Sequence, residues 1–144
     1  MQRPDQWHVT LVFLGQVADG RIPLAIECAS AVRAAPVTVS FETVEHWRRP
    51  QVLCLRPANT PASLQVLVAQ LRDTLLLTRF SLEQRAYRPH VTIARKVRAY
   101  DGVTTLDEPL VWSARRFALV RSVSDPTGSR YEPAHWWNLS AGKS

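Results

Sequence analysis

WHVTLVFLG (Trp7–Gly15) and RPHVTIARK (Arg88–Lys96) carry the same pattern, His-Val-Thr followed by an aliphatic residue, with the two histidines 82 positions apart. Side chains of an extended chain alternate between faces, so His8 shares a face with Thr10, and His90 with Thr92. Trp7, Val9, Leu11 and Phe13 fall on one side of the first segment, and His8, Thr10, Val12 and Leu14 on the other. That alternation predicts a strand with both faces at least partly covered. Placed side by side on one cleft, the two segments would bring two imidazoles and two hydroxyls into one small volume.

Such a set meets the needs of phosphodiester cleavage without a metal. In-line attack at phosphorus has an entering oxygen that must lose a proton and a leaving oxygen that must gain one. Two imidazoles, each with an ordinary pKa of about 6.5, can hold opposite protonation states near neutrality and act as base and acid. The threonine hydroxyls would donate to the non-bridging oxygens as their charge is redistributed. A single histidine on a strand is most often structural; its repetition with threonine at the same spacing favours chemistry. A histidine metal site is disfavoured, because no third ligand stands at a familiar spacing and threonine is a poor partner for zinc. His46 and His135 lack the motif and read as surface or hairpin residues.

The 144 residues suit one domain. A hydrophobic fraction of 46% and a charged fraction of 21% are ordinary for a soluble globule. No apolar run is long enough to span a bilayer and no signal peptide precedes the first strand-like segment, so a cytoplasmic location is expected. Cys28 and Cys54 stand in unrelated contexts without a C-x-x-C, which suggests neither a disulfide nor a zinc knuckle. The net charge is +6, and every cation except Lys96 and Lys143 is arginine. Arginine's planar fork suits phosphate oxygens, so a polyanionic partner fits, although GC-rich codon usage also raises arginine.

Along the chain, residues 22 to 35 read as a helix with Pro23 in its first turn and Pro36 beyond its end. Strands are predicted at Val37–Val44 and Gln51–Pro57, joined by EHWRRP. Thr60 is expected to cap a second helix with Pro61 at its first position and an apolar stripe of Leu64, Leu67, Val68, Leu71 and Leu75. PHVTIARKV reads as a strand and DGVTTLDEP as a loop. ARRFALVRSV and SRYEPAHWWNLS read as a terminal hairpin about SDPTGS. Adjacent strand pairs with two helices argue an α+β fold of mainly antiparallel sheet.

HVTLVFLG, RPHVTIAR and the closing LVRSVSDPTGSRYEP, with VSFETVEHWRRPQVLCLRP between them, together resemble the 2H phosphoesterases. The closest resemblance within them is to the RNA 2′,3′-cyclic phosphodiesterases, also called the 2′-5′ RNA ligase family. The resemblance extends over essentially the whole chain. It implies a bilobal fold of two mainly antiparallel sheets related by a pseudo-twofold, with flanking helices and one H-x-T from each lobe in a central cleft. It further implies hydrolysis of 2′,3′-cyclic phosphate ends, on tRNA fragments or oligoribonucleotides, to 2′-phosphates, with no metal and no cofactor. The reverse reaction would be 2′-5′ RNA ligation.

By that resemblance His8 and Thr10 match the first motif and His90 and Thr92 the second, with His8 as acid and His90 as base. Arg95 matches a basic position that contacts phosphate, and Phe13 holds the equivalent place in the first repeat, where it would stack on a base or pack as a core aromatic. Both lie an odd step from their histidine, so a bulge or strand end must turn them to the same face. Lys96, with the correct parity, is the competing phosphate contact. Family members carry an edge strand and a long helix before the first motif. Here MQRPDQW alone precedes His8. On that comparison the N-terminal strand and helix are missing, and dimerisation or strand exchange would cover the surface they leave. A reading from another class is a slow or non-catalytic module that binds RNA ends in the same cleft.

Overall fold

A computed structural model describes residues 6–126 and 128–140. The elements run α1 (Ile22–Ser30), β1 (Val37–Trp47), β2 (Val52–Pro57), α2 (Ala62–Leu77), β3 (Val91–Ala94), β4 (Thr105–Ala114), β5 (Arg116–Asp125) and β6 (Gly128–Asn138). They make an antiparallel-paired four-stranded sheet in the order β3-β2-β1-β4 and a two-stranded sheet of β5 and β6. Two helices and two sheets are the α+β fold that the pattern of elements predicts.

The chain divides into two compact units. The first holds residues 6–11, Thr38–Thr60 and Ala86–Trp112, and so most of the four-stranded sheet; the second holds Val12–Val37, Pro61–Arg85 and residues 113–140. Both H-x-T segments fall in the first unit, rather than one in each lobe.

In the first unit, one sheet face buries Phe41, Val44, Leu55 and Val91. A register shift between Phe41 and Thr43 decides which β1 residues face the other way. Before it the buried positions are Val37, Val39 and Phe41; after it the buried position is Val44. Thr43, Glu45 and Trp47 therefore turn to the opposite face. This strand extends three residues past the predicted end at Val44, into what reads as a connection. β4 likewise starts at Thr105, inside the predicted loop; it has β1 as its single neighbour, and such an edge strand accommodates Pro109.

The second unit packs Ala25 and Cys28 of α1 against Leu75 of α2 and Phe80, with Val12, Leu14, Val17 and Leu82 around them. All five residues of the predicted α2 stripe are buried. Pro61, not Thr60, stands at the N-cap. Helix α1 stops at Ser30, short of the predicted end near residue 35. There the Gln70 side chain brackets Arg33, accepting from its N–H at 2.9 Å and donating to its carbonyl at 2.7 Å, and this holds the chain out of helical geometry.

Candidate active site

The first H-x-T segment is not a regular strand. It meets the sheet through a single antiparallel bridge, Val9 to Val91, beside a β3 only four residues long. Gly15, at φ 70°, turns the chain beyond it. The bridge nonetheless sets the register. With Val9 opposite Val91, His8 lies opposite Thr92 and Thr10 opposite His90, all four on the face away from buried Val91. Directly opposed side chains have Cβ atoms about 4.5–5.5 Å apart. The two couples are thus interleaved, each imidazole facing the other segment's hydroxyl.

The rest of the sheet extends these two rows. Glu45 pairs with Cys54, and Cys54 with Thr92, so one row runs Glu45, Cys54, Thr92, His8. Thr43 pairs with Arg56, and continuing the β2–β3 register by one residue brings Arg56 opposite His90. The second row is therefore Thr43, Arg56, His90, Thr10.

Both imidazoles are held the same way. His8 Nδ1 lies 3.1 Å from the carbonyl of Gln6, and His90 Nδ1 lies 2.9 Å from the carbonyl of Arg88, each two residues back. A carbonyl only accepts, so each Nδ1 carries a proton, and in a neutral ring the lone pair is then on Nε2. Burial pushes the His90 pKa below the ordinary histidine value, overriding the hydrogen bond to Arg88, and the positive Arg56, His8 and Arg88 push the same way. The neutral form of His90 is favoured. Cys54 is fully buried beneath Thr92 and shares a hydrogen bond with it; burial raises its thiol to about 11, which keeps it uncharged near neutrality.

The segment carrying His90 is tied on several sides. Arg56 donates from Nη1 to the Pro89 carbonyl at 3.0 Å. The Tyr87 hydroxyl donates to the Thr10 carbonyl at 2.8 Å and so ties one H-x-T segment to the other. Burial holds the Tyr87 phenol well above its ordinary pKa, so it remains a donor.

Arg95 lies just past β3, where a register shift bears on it. Cys54 pairs with Thr92 but Leu53 pairs with Ala94, so Ile93 is an extra residue. That bulge inverts the parity at the end of the strand, which is the turn Arg95 needs to share a face with His90 and Thr92. Lys96 has left the strand, at φ 60° in the left-handed region. Beyond it, the Val97 N–H donates to the Gln51 carbonyl at 2.7 Å, and the Val97 carbonyl accepts from His46 Nε2 at 2.6 Å. Phe13 belongs to the second unit and is 68% exposed, so it is not a core aromatic. His135 stands on β6 with its ring 4.5 Å from that of Trp137.

Glu45, Trp47, Arg56, Tyr87 and Arg88 belong to this site and were not anticipated from the sequence. No local signal marks the first two, because the bulge at Glu42 decides which face they take. Among the described residues, no three His, Cys, Asp or Glu side chains form a group able to hold a metal ion, and no helix is long and apolar enough to cross a membrane.

Residues 3–126 match the model of the 2′-5′ RNA ligase superfamily. The RNA 2′,3′-cyclic phosphodiesterase of Escherichia coli is 28% identical over 94% of this chain and 77% of its own length. The enzyme of the same name from Bacillus subtilis is 32% identical over 69% of this chain, which spans 56% of that relative. Among solved structures, E. coli LigT complexed with 3′-AMP superposes with a TM-score of 0.85 at 24% identity, covering 94% of this chain and 78% of that one.

Proposed function

Because the chain belongs to the 2′-5′ RNA ligase superfamily, we propose that it is an RNA 2′,3′-cyclic phosphodiesterase that works through His8, Thr10, His90 and Thr92. The observation that carries this reading is the Val9–Val91 bridge, which sets both couples on one sheet face. Nε2 of neutral His90 takes a proton from water as the water oxygen attacks phosphorus. The bond from phosphorus to the 3′ oxygen breaks, and Nε2 of protonated His8 gives that oxygen its proton. The product is a 2′-phosphate beside a free 3′-hydroxyl. Thr10 and Thr92 donate to the non-bridging oxygens, and Arg95 contacts the phosphate. Burial favours the neutral form of His90, with its Nε2 lone pair able to accept a proton, and this supports its role as base rather than acid.

No step requires a metal or a cofactor: the two imidazoles supply the proton traffic and the hydroxyls and arginine supply the charge stabilisation. The RNA-end partner is supported by the names of the curated relatives and by the 3′-AMP complex of a protein of the same fold.

The test is release of 2′-phosphate from a 2′,3′-cyclic nucleotide in EDTA. His8→Ala and His90→Ala should each lower kcat by about 10²–10⁴-fold, as loss of one proton-transfer group does. Turnover surviving both substitutions refutes the assignment. Tight binding of cyclic-ended RNA by the wild type without any product would instead make the site a binding module.

A further inference from the structure

Trp47 stands at the end of β1, on the site face, with its ring centroid 4.5 Å from that of His90 and the planes inclined by 53°. Its Nε1 donates to Glu45 Oε1 at 2.9 Å. The Arg88 guanidinium covers the indole, 4.3 Å above its centroid, with Nη2 at 3.6 Å from the same carboxylate oxygen. On the other carboxylate oxygen, Glu45 Oε2, Arg56 Nε lies at 3.5 Å. One carboxylate thus gathers an indole and two guanidiniums, and all three lead to His90. The indole abuts its ring, Arg88 offers the carbonyl that takes its Nδ1 proton, and Arg56 holds the Pro89 carbonyl beside it.

We propose that Trp47 is a positioning residue for His90, a wall anchored by Glu45 and capped by Arg88 that fixes the imidazole against the sheet. This rests on the two-histidine reading above. The physical reason is that a ring held by one hydrogen bond at Nδ1 still rocks about that bond. A flat aromatic surface on one side removes that freedom, and positioning within a fraction of an ångström is worth large factors in rate. Trp47 also excludes water from one face of His90 and holds Arg88 nearby.

The groups facing His90 are Arg56 from β2, Arg88 from its own segment, His8 from the first segment, and Glu45 from β1 through those arginines. Removing the indole readmits water and frees Arg88, and both changes favour the protonated ring. A cation–π contribution from the indole acts in the opposite direction, but with the planes inclined by 53° the rings are not face to face, and the restored solvation of the cation is the larger effect.

The experiment compares Trp47→Phe, Trp47→Leu and Trp47→Met by NMR titration of the His90 ring and by the pH dependence of cyclic-nucleotide hydrolysis. Phe keeps a flat wall and should stay within about threefold of wild-type kcat. Leu and Met remove it and should lower kcat about tenfold or more while KM moves less. With either one, His90 should titrate at higher pH and the acidic limb of the rate profile should move up with it. Met is the second probe should the Leu variant fail to fold. An unmoved His90 titration in the folded Leu or Met variant overturns the proposal, as does a Phe variant as slow as these. Activity surviving His8→Ala and His90→Ala would instead sink the two-histidine reading, and the NMR titration would still test the Trp47 wall by itself.

Discussion

Tyr87→Phe removes one atom, and its consequence can be worked out from the geometry. The hydroxyl it deletes donates to the Thr10 carbonyl at 2.8 Å and so joins the two H-x-T segments, as the Val9–Val91 bridge also does. A neutral hydrogen bond contributes about 0.5–1.5 kcal/mol net, and more when its loss strands a buried acceptor. Thr10 is exposed, so water can replace the phenol, and the expected loss is about 1 kcal/mol. That is roughly a fivefold change in an equilibrium between a seated and a loosened first segment. The global melting temperature should fall by only about 2–4 °C. Backbone amides at residues 9–11 should exchange with solvent about fivefold faster, while those of β5 and β6 stay unchanged. Hydrolysis of a cyclic nucleotide should lose up to about fivefold in kcat/KM, in proportion to the exchange. Unchanged exchange at residues 9–11 would refute the view that Tyr87 seats the first motif. A uniform rise in exchange across the whole chain would refute it as well.

Val91→Ala probes the residue between His90 and Thr92, which is 0% exposed. Losing two buried methyl groups should cost roughly 2–3 kcal/mol, or about 5–10 °C in Tm by calorimetry; a shift below about 2 °C would contradict the packing described for that face. Arg95→Ala should raise KM for a cyclic nucleotide about tenfold, the scale of one charge-assisted hydrogen bond, and Lys96→Ala much less. The reverse order in the same titration would mean that the bulge at Ile93 does not bring Arg95 to the site.

The tetrapeptide repeat was legible because alternation along an extended chain is a property of the backbone and does not depend on what surrounds it. The α2 stripe was legible for the same reason, since Leu64 to Leu75 follow the helical period and all five residues are buried. The two bulges were not. An extra residue at Glu42 decides that Glu45 and Trp47 share the site face, and one at Ile93 inverts the parity of the strand end that leads to Arg95. Either bulge leaves a stretch of ordinary β-forming residues, so nothing local marks it. The first segment failed as a strand for a non-local reason: strand propensity there is high, but it meets β3 through one bridge. Thr60 looked like a cap, yet Pro61 at φ −59° and ψ 146° takes that place, because the extended half-in geometry of an N-cap suits proline's fixed φ.

Interleaving has a consequence for folding fidelity. A slip of the first segment by one residue turns both His8 and Thr10 to the wrong face. A slip by two in one direction sets imidazole against imidazole, which repel when both are protonated, and in the other direction sets hydroxyl against hydroxyl. Only the native alignment gives each ring a hydroxyl partner. A slipped first segment therefore forms neither imidazole–hydroxyl pair.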